Sequence, residues 1–387
     1  MRYRTVVTLA GLCVLSVWSL IFDATAQQFE TRRNSDNDSG AVAIRLRGDS
    51  LGQLRLQRPS ASKLGGETLT GLVRLRAADG GLMIETDLGE MRIVQPEQID
   101  SVRPIDASKL LLPVPEIKRR LTEELGRRFD TYSTANYVLA FDGNVNHARQ
   151  VAALLEQLHR GFFAYWDNQH VDVTPPKSPL IVIVFRDRQS FATYSREKIG
   201  SLTDQYIGYY DLQSNRMFCY DVPNFERNFS TIIHEATHQL AYNCGLQNRT
   251  SDNPRWLSEG LAMFFESPDM RSPKRWRGIG RVNAVNLLRY KRYARRRPSD
   301  SLTQLIATDD RLLNKDTAAD AYGESWALTY FLIRTHREQY FEYLQTIRAI
   351  PPLTKSTSQQ RIDNFIDAFG TIDELDKAFT VYMRSVR

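Results

Sequence analysis

Between about residues 41 and 104 the chain alternates apolar and polar positions in short runs, and beyond them the period lengthens to that of helices. Thr70–Arg76, Leu82–Thr86, Met91–Val94 and Ile99–Val102 carry the two-residue period of half-buried strands. Asp79-Gly80 and Asp87-Leu88-Gly89 supply turn residues between them. Several short strands in so little chain predict a small all-β domain at 41–105, of SH3-like or Sm-like barrel type. No aromatic residue lies between Ala41 and Pro104, so a stacking groove for bases or proline-rich peptides has no support there. A structural or docking role is the expectation for this domain.

Residues 106–118, with Pro113 and Pro115, read as a linker, and 119–387 as the main domain. Helical character is expected over Glu116–Phe129, and Tyr137–Phe141 reads as a strand. Asn144–Trp166 predicts a long amphipathic helix with Val151, Leu154, Leu155, Leu158 and Phe162 on one side. His147 and His159 on it are expected to pack or face solvent. Leu180–Phe185 is apolar throughout, the pattern of a strand buried on both faces. Arg188–Ile199 reads as helix, and Ile207–Asp211 with Met217–Tyr220 as a hairpin. Helices follow at Phe225–Tyr242, near Trp256–Glu266, at Ala321–Arg334, and at Arg361–Phe369 and Ile372–Val386. Strands and helices in this order predict an α+β chain.

The amino terminus changes the picture of where such a protein works. Arg2 and Arg4 precede the apolar run Val6–Phe22, and Ala24-Thr25-Ala26 is a small-x-small cleavage pattern. Residues 1–26 are therefore expected to be a signal peptide and 27–40 a polar, disordered leader. An uncleaved membrane anchor is the alternative; both place the body outside the cytoplasm. Removal of the signal leaves Cys219 and Cys244, either a disulfide or two buried thiols. The net charge of +6 is mild, but Arg271–Arg297 holds eleven Lys or Arg and no acidic residue. That stretch is either a solvated face or a contact for an anionic cell-envelope surface; no nucleic-acid partner is expected for an exported protein.

The candidate chemistry lies in His234-Glu-Ala-Thr-His238. Positions i and i+4 share one helix face, so both imidazoles can grip one metal ion, while Glu235 projects beside it. Two histidines leave zinc short of ligands, and Glu259, twenty intervening residues after His238, is placed to supply a third. An ordinary helix with two surface histidines would be the bland alternative. Ile233, Ala236, Leu240 and Ala241 make this helix too apolar for that, since a buried glutamate and unliganded histidines are costly.

The H-E-x-x-H segment followed by Trp256-Leu-Ser-Glu-Gly-Leu-Ala262 resembles the gluzincin zinc metallopeptidases of the peptidase MA-like group, over roughly residues 119–387. With Gly208-Tyr-Tyr-Asp211 and Ala321-Tyr-Gly-Glu-Ser-Trp326 it is similar to a family of secreted bacterial proteins in that group, known mainly as a domain of unknown function. The resemblance implies a gluzincin-like fold, Zn2+ held by His234, His238 and Glu259, and Glu235 as general base. It also implies that Tyr322 donates to the oxyanion, that the strand at 207–211 borders the cleft, and that the partner is a peptide or protein substrate. Gluzincins often place an aspartate four residues after the ligand glutamate to hold a histidine; Met263 stands there, so another group must do so. Glu266, on the same expected helix, is not assigned as a ligand. The alternative function is a zinc-bearing or inactive peptidase-like module that binds cell-envelope components.

Overall fold

The computed structural model describes residues 40–47, 68–199, 206–222, 225–266 and 279–387; for 197–199 and 225–228 it describes the backbone alone. The expected signal peptide and nearly all of the leader lie outside the described residues, as do residues 271–278 of the basic stretch. The fold is mixed α+β: a β-rich amino-terminal region with two sheets, then a helical carboxy-terminal region. Among the described residues no helix is long and apolar enough to cross a membrane.

The first sheet comprises β1 (Ala41–Leu46), β2 (Thr68–Arg76), β3 (Leu82–Thr86), β4 (Met91–Val94) and β5 (Ile99–Pro104), antiparallel in the order β4-β3-β2-β1-β5. Among the described pairs this ladder is open, with β4 and β5 at its edges, rather than a hydrogen-bonded barrel. Alternation sends Val42, Ile44, Leu46, Val73, Ile84 and Val94 into one small core. Met83 and Met91 face the other way and pack against Tyr210, Leu212 and Tyr242 of the following region. Helix α1 (Val114–Leu125) begins inside the segment read as a linker. Pro113 and Pro115 permit this, because the first helical turn needs no partner for its N–H groups.

The second sheet is mixed, in the order β6-β7-β8-β10-β9, from β6 (Asp130–Ser133), β7 (Tyr137–Phe141), β8 (Leu180–Phe185), β9 (Gly208–Asp211) and β10 (Arg216–Tyr220). β7, β8 and β10 run parallel, and β9 pairs antiparallel with β10 as the edge. The parallel crossovers use α2 (Val145–Asn168) and α3 (Arg188–Ile199). The strand period divides the apolar run at Leu180: Leu180, Val182 and Val184 join the core under α2, while Ile181, Ile183 and Phe185 join the core under α1. His147 is buried on α2 with Nδ1 3.2 Å from Asp221, and His159 packs on Phe163.

The helices that follow are α4 (Phe225–Asn243), α5 (Arg255–Phe265), α6 (Ala284–Tyr293), α7 (Ser301–Ala307), α8 (Asp310–Leu313), α9 (Ala318–Thr335), α10 (Arg337–Arg348), α11 (Ser358–Phe369) and α12 (Ile372–Ser385). α9 packs against both α5 and α6. Two glycines allow that approach. A Cβ at Gly260 would come within 2.1 Å of Thr329 Oγ1, and one at Gly323 within 2.9 Å of the Arg289 Cβ and Tyr290 N. Part of the basic stretch is internal wiring. Arg297, its side chain 6% exposed, donates to Glu324 at 2.5 Å and to Asp376, and Lys291 donates to the Val386 carbonyl.

Cys219 and Cys244 are free and buried, and burial pushes each thiol up to about 12. The helix explains why they do not bridge. α4 is bonded to the Asn215 end of the hairpin through Gln239 and Asn243, so Cys244 sits near that end. Cys219 lies four residues further along β10, roughly 13 Å at strand rise, well beyond disulfide reach. Denaturing alkylation without reductant, read by intact mass, is expected to add a label to both Cys219 and Cys244; a mass two hydrogens short and unlabelled at both positions would contradict this.

Candidate metal centre

α4 is buried because its apolar residues Ile232, Ile233, Ala236, Leu240 and Ala241 enter the main core. That seats the intervening polar residues inside as well: His234, Glu235 and His238 are at most 1% exposed. α5 starts at the Pro254 N-cap, packs against α4, and brings the fully buried Glu259 to the same point. His234, His238 and Glu259 thus form the group that could hold a metal ion. The Nε2 atoms of the histidines are 3.2 Å apart, and Glu259 Oε2 lies 3.1 Å from His234 Nε2 and 3.8 Å from His238 Nε2. Two donors at about 2.0–2.1 Å on a tetrahedral ion stand about 3.3 Å apart, so the triangle is of the right size. Among the described residues Glu259 Oε1 is buried with no hydrogen-bond partner, an arrangement that a cation between the three residues would relieve.

The electrostatics point the same way. Burial opposes charge on His234, but the carboxylates of Glu259 and Glu266 outweigh it and raise its pKa well above the usual value. Burial lowers that of His238. Burial also works against ionised Glu259, yet its contact with His234, and a more distant one with His238, hold it at about 2. A carboxylate this enclosed stays ionised only beside positive charge, supplied either by a proton on His234 or by a metal ion.

Three partners were not assigned from the sequence. Glu266 Oε1 accepts from His234 Nδ1 at 2.6 Å, which leaves Nε2 as the inward-facing nitrogen. Glu266 therefore fills the place that Met263 leaves empty. Its signal was present: it stands seven residues, two helical turns, after Glu259 and so on the same face. Asn283, the N-cap of α6, donates from Nδ2 to Glu266 Oε2 at 3.0 Å and fixes that carboxylate in turn. On the other side the backbone N–H of Tyr210, on edge strand β9, donates to Glu235 Oε2 at 2.9 Å. Glu235 is thus held by the strand edge and sits outside the three-residue group.

Tyr322 is buried in the opening turns of α9, the helix that packs along α5, and lies near the charge of Arg289 on α6. The short distances that define the His234–His238–Glu259 group do not involve it.

The family profile described as "Protein of unknown function (DUF1570)" matches residues 228–354, the segment that carries His234, Glu235, His238, Glu259 and Tyr322. No curated protein matches the chain.

The geometry separates two carboxylates two turns apart, Glu259 within α5 and Glu266 at its C-cap. Glu259→Ala is expected to abolish stoichiometric metal binding, whereas Glu266→Ala, which removes only the hold on His234, should weaken affinity by about 10–100-fold. Isothermal titration or competition with a chromophoric chelator checks this. Equal losses in both variants, or a larger loss for Glu266→Ala, would show that the ligand assignment is wrong.

Proposed function

We propose that this chain is an exported, zinc-dependent peptidase of gluzincin type that hydrolyses peptide bonds. One observation carries the reading: a buried group of two histidines and a carboxylate with another carboxylate, Glu235, held separately on the helix of both histidines. A purely structural zinc site closes its coordination with a fourth protein ligand and has no use for such a neighbour, whereas three protein donors leave a position open for reaction. Two imidazoles and one carboxylate suit zinc among the first-row metals.

When held by His234, His238 and Glu259, zinc supplies Lewis acidity, acidifying a water and polarising the carbonyl under attack. The chain's own residues supply the rest. Glu235 takes the proton of the attacking water, whose oxygen bonds to the carbonyl carbon, and delivers it to the nitrogen as the C–N bond breaks. The Tyr210 N–H fixes the direction of that carboxylate without neutralising it. Because β9 is a sheet edge, an extended peptide added along it would lie beside the base. Glu266 and Asn283 keep His234 in the tautomer that presents Nε2. Tyr322 is the candidate donor to the oxyanion; its place in the opening turns of α9, the helix packed along α5, supports it.

Digestion of a diverse peptide library by the purified, zinc-loaded protein tests the function. Glu235→Gln should retain zinc and fold and lose at least about 10²-fold in kcat, because only proton transfer is removed. Wild-type turnover in that variant would remove Glu235 from the reaction. Tyr322→Phe should lower kcat by about 10²-fold with zinc content and thermal midpoint unchanged. An unaltered kcat, or a loss matched by a loss of stability, would return Tyr322 to a packing role.

A further inference from the structure

The first sheet meets the rest of the molecule at α1, where Arg120 donates to Asp87 at 3.0 Å, and at the turn of the β9–β10 hairpin. The Met91 N–H donates to the Gln213 carbonyl at 2.8 Å. Arg249, only 5% exposed, bridges the two sides: it donates to the Gly89 carbonyl at 2.9 Å, the Leu212 carbonyl at 3.1 Å and Glu85 Oε1 at 2.7 Å. Met83 and Met91 pack with Tyr210, Leu212 and Tyr242 at the same contact.

From the opposite side the turn is tied to the metal helix. Gln239 Nε2 donates to the Asn215 carbonyl at 2.9 Å, and the side chains of Asn215 and Asn243 exchange hydrogen bonds at 2.8 and 2.7 Å. Gln239 and Asn243 stand four and eight residues after Glu235, so they continue its face of α4. Tyr210 joins all of these parts. Its hydroxyl donates to Asn215 Oδ1 at 2.7 Å, its ring stacks on Tyr242, and its N–H holds Glu235.

An edge hairpin has a ladder partner on one side only and opens more readily than a central strand. Here the first sheet and the metal helix grip its turn from both sides. We infer that the first sheet is a positioning module, which clamps residues 212–215 through Arg249 and Glu85 and so sets where the Tyr210 N–H holds Glu235. The inference rests on Glu235 acting as the base. Arg249 and Glu85 belong to neither the metal group nor the proton path; they are positioning residues. The clamp matters because displacement of a catalytic group by about 1 Å can cost about 10²-fold in rate.

The test uses the full-length, metal-loaded protein. Arg249→Lys keeps the charge beside Glu85, but one ammonium cannot span the acceptors that the planar guanidinium reaches. Glu85→Gln leaves Arg249 in place and removes the ion pair, and it serves if the first variant folds poorly. Hydrogen exchange of residues 206–222, metal content, kcat and KM are measured together. Both variants should exchange the hairpin amides about tenfold faster and lose about 10–100-fold in kcat, with KM and metal content unchanged. Unchanged hairpin exchange in both variants, or a fall in kcat that merely follows loss of metal or of folded protein, would overturn the inference. If the wild type cleaves no peptide, the peptidase reading fails by itself, and the exchange measurement still decides whether the sheet clamps the hairpin.

Discussion

Enclosing two imidazoles and a carboxylate where two helices meet is the constraint on which the rest of this structure depends. His234, His238 and Glu259 are withdrawn from water, and among the described residues Glu259 keeps one oxygen without a hydrogen-bond donor. Such a group is stable only with compensating positive charge. A proton on His234 serves in the metal-free state, and a divalent ion at the centre of the triangle serves better, since it engages all three donors. The fold is arranged to keep those donors converging. Gly260, next to Glu259, lets α9 press α5 into place, and Glu266 with Asn283 fixes the outer nitrogen of His234.

The second sheet supplies the rigid floor for α4. Its central strands are apolar on both faces, so helices cover it on either side and the metal helix cannot shift without breaking a packed core. The antiparallel edge strand is a different kind of element. Its Tyr210 N–H leaves the ladder to hold Glu235, which makes the strand edge part of the site and not only its border. Support for that edge comes from the first sheet, and the two sheets are thereby one mechanical unit around Glu235.

Much of this was legible in the sequence, for reasons that differ from element to element. The i, i+4 histidines could be placed because helix geometry is local, and Leu180–Phe185 because a run apolar at every position fits a strand covered on both faces. The strands at Leu82–Thr86 and Met91–Val94 were legible because alternation and turn residues coincide. β1 escaped because Ala41–Ile44 is apolar throughout and lacks alternation. The early start of α1 escaped because two prolines read as linker residues, although the first turn of a helix tolerates them. The hold of Glu266 on His234 was missed although its spacing from Glu259 was visible. The Arg249–Glu85 contact joins residues 164 apart, and the Tyr210–Glu235 bond uses a backbone N–H; neither leaves a signature in a single sequence.

His234, His238 and Glu259 could hold one divalent metal ion in an open site. X-ray absorption at the zinc edge on the full-length wild-type protein, with metal quantified by mass spectrometry, addresses it most directly. The expected result is one zinc per chain with two imidazole nitrogens and oxygen ligands at about 2.0–2.2 Å. Absence of stoichiometric metal after zinc loading, or a first shell containing sulfur or a different number of imidazoles, would contradict it.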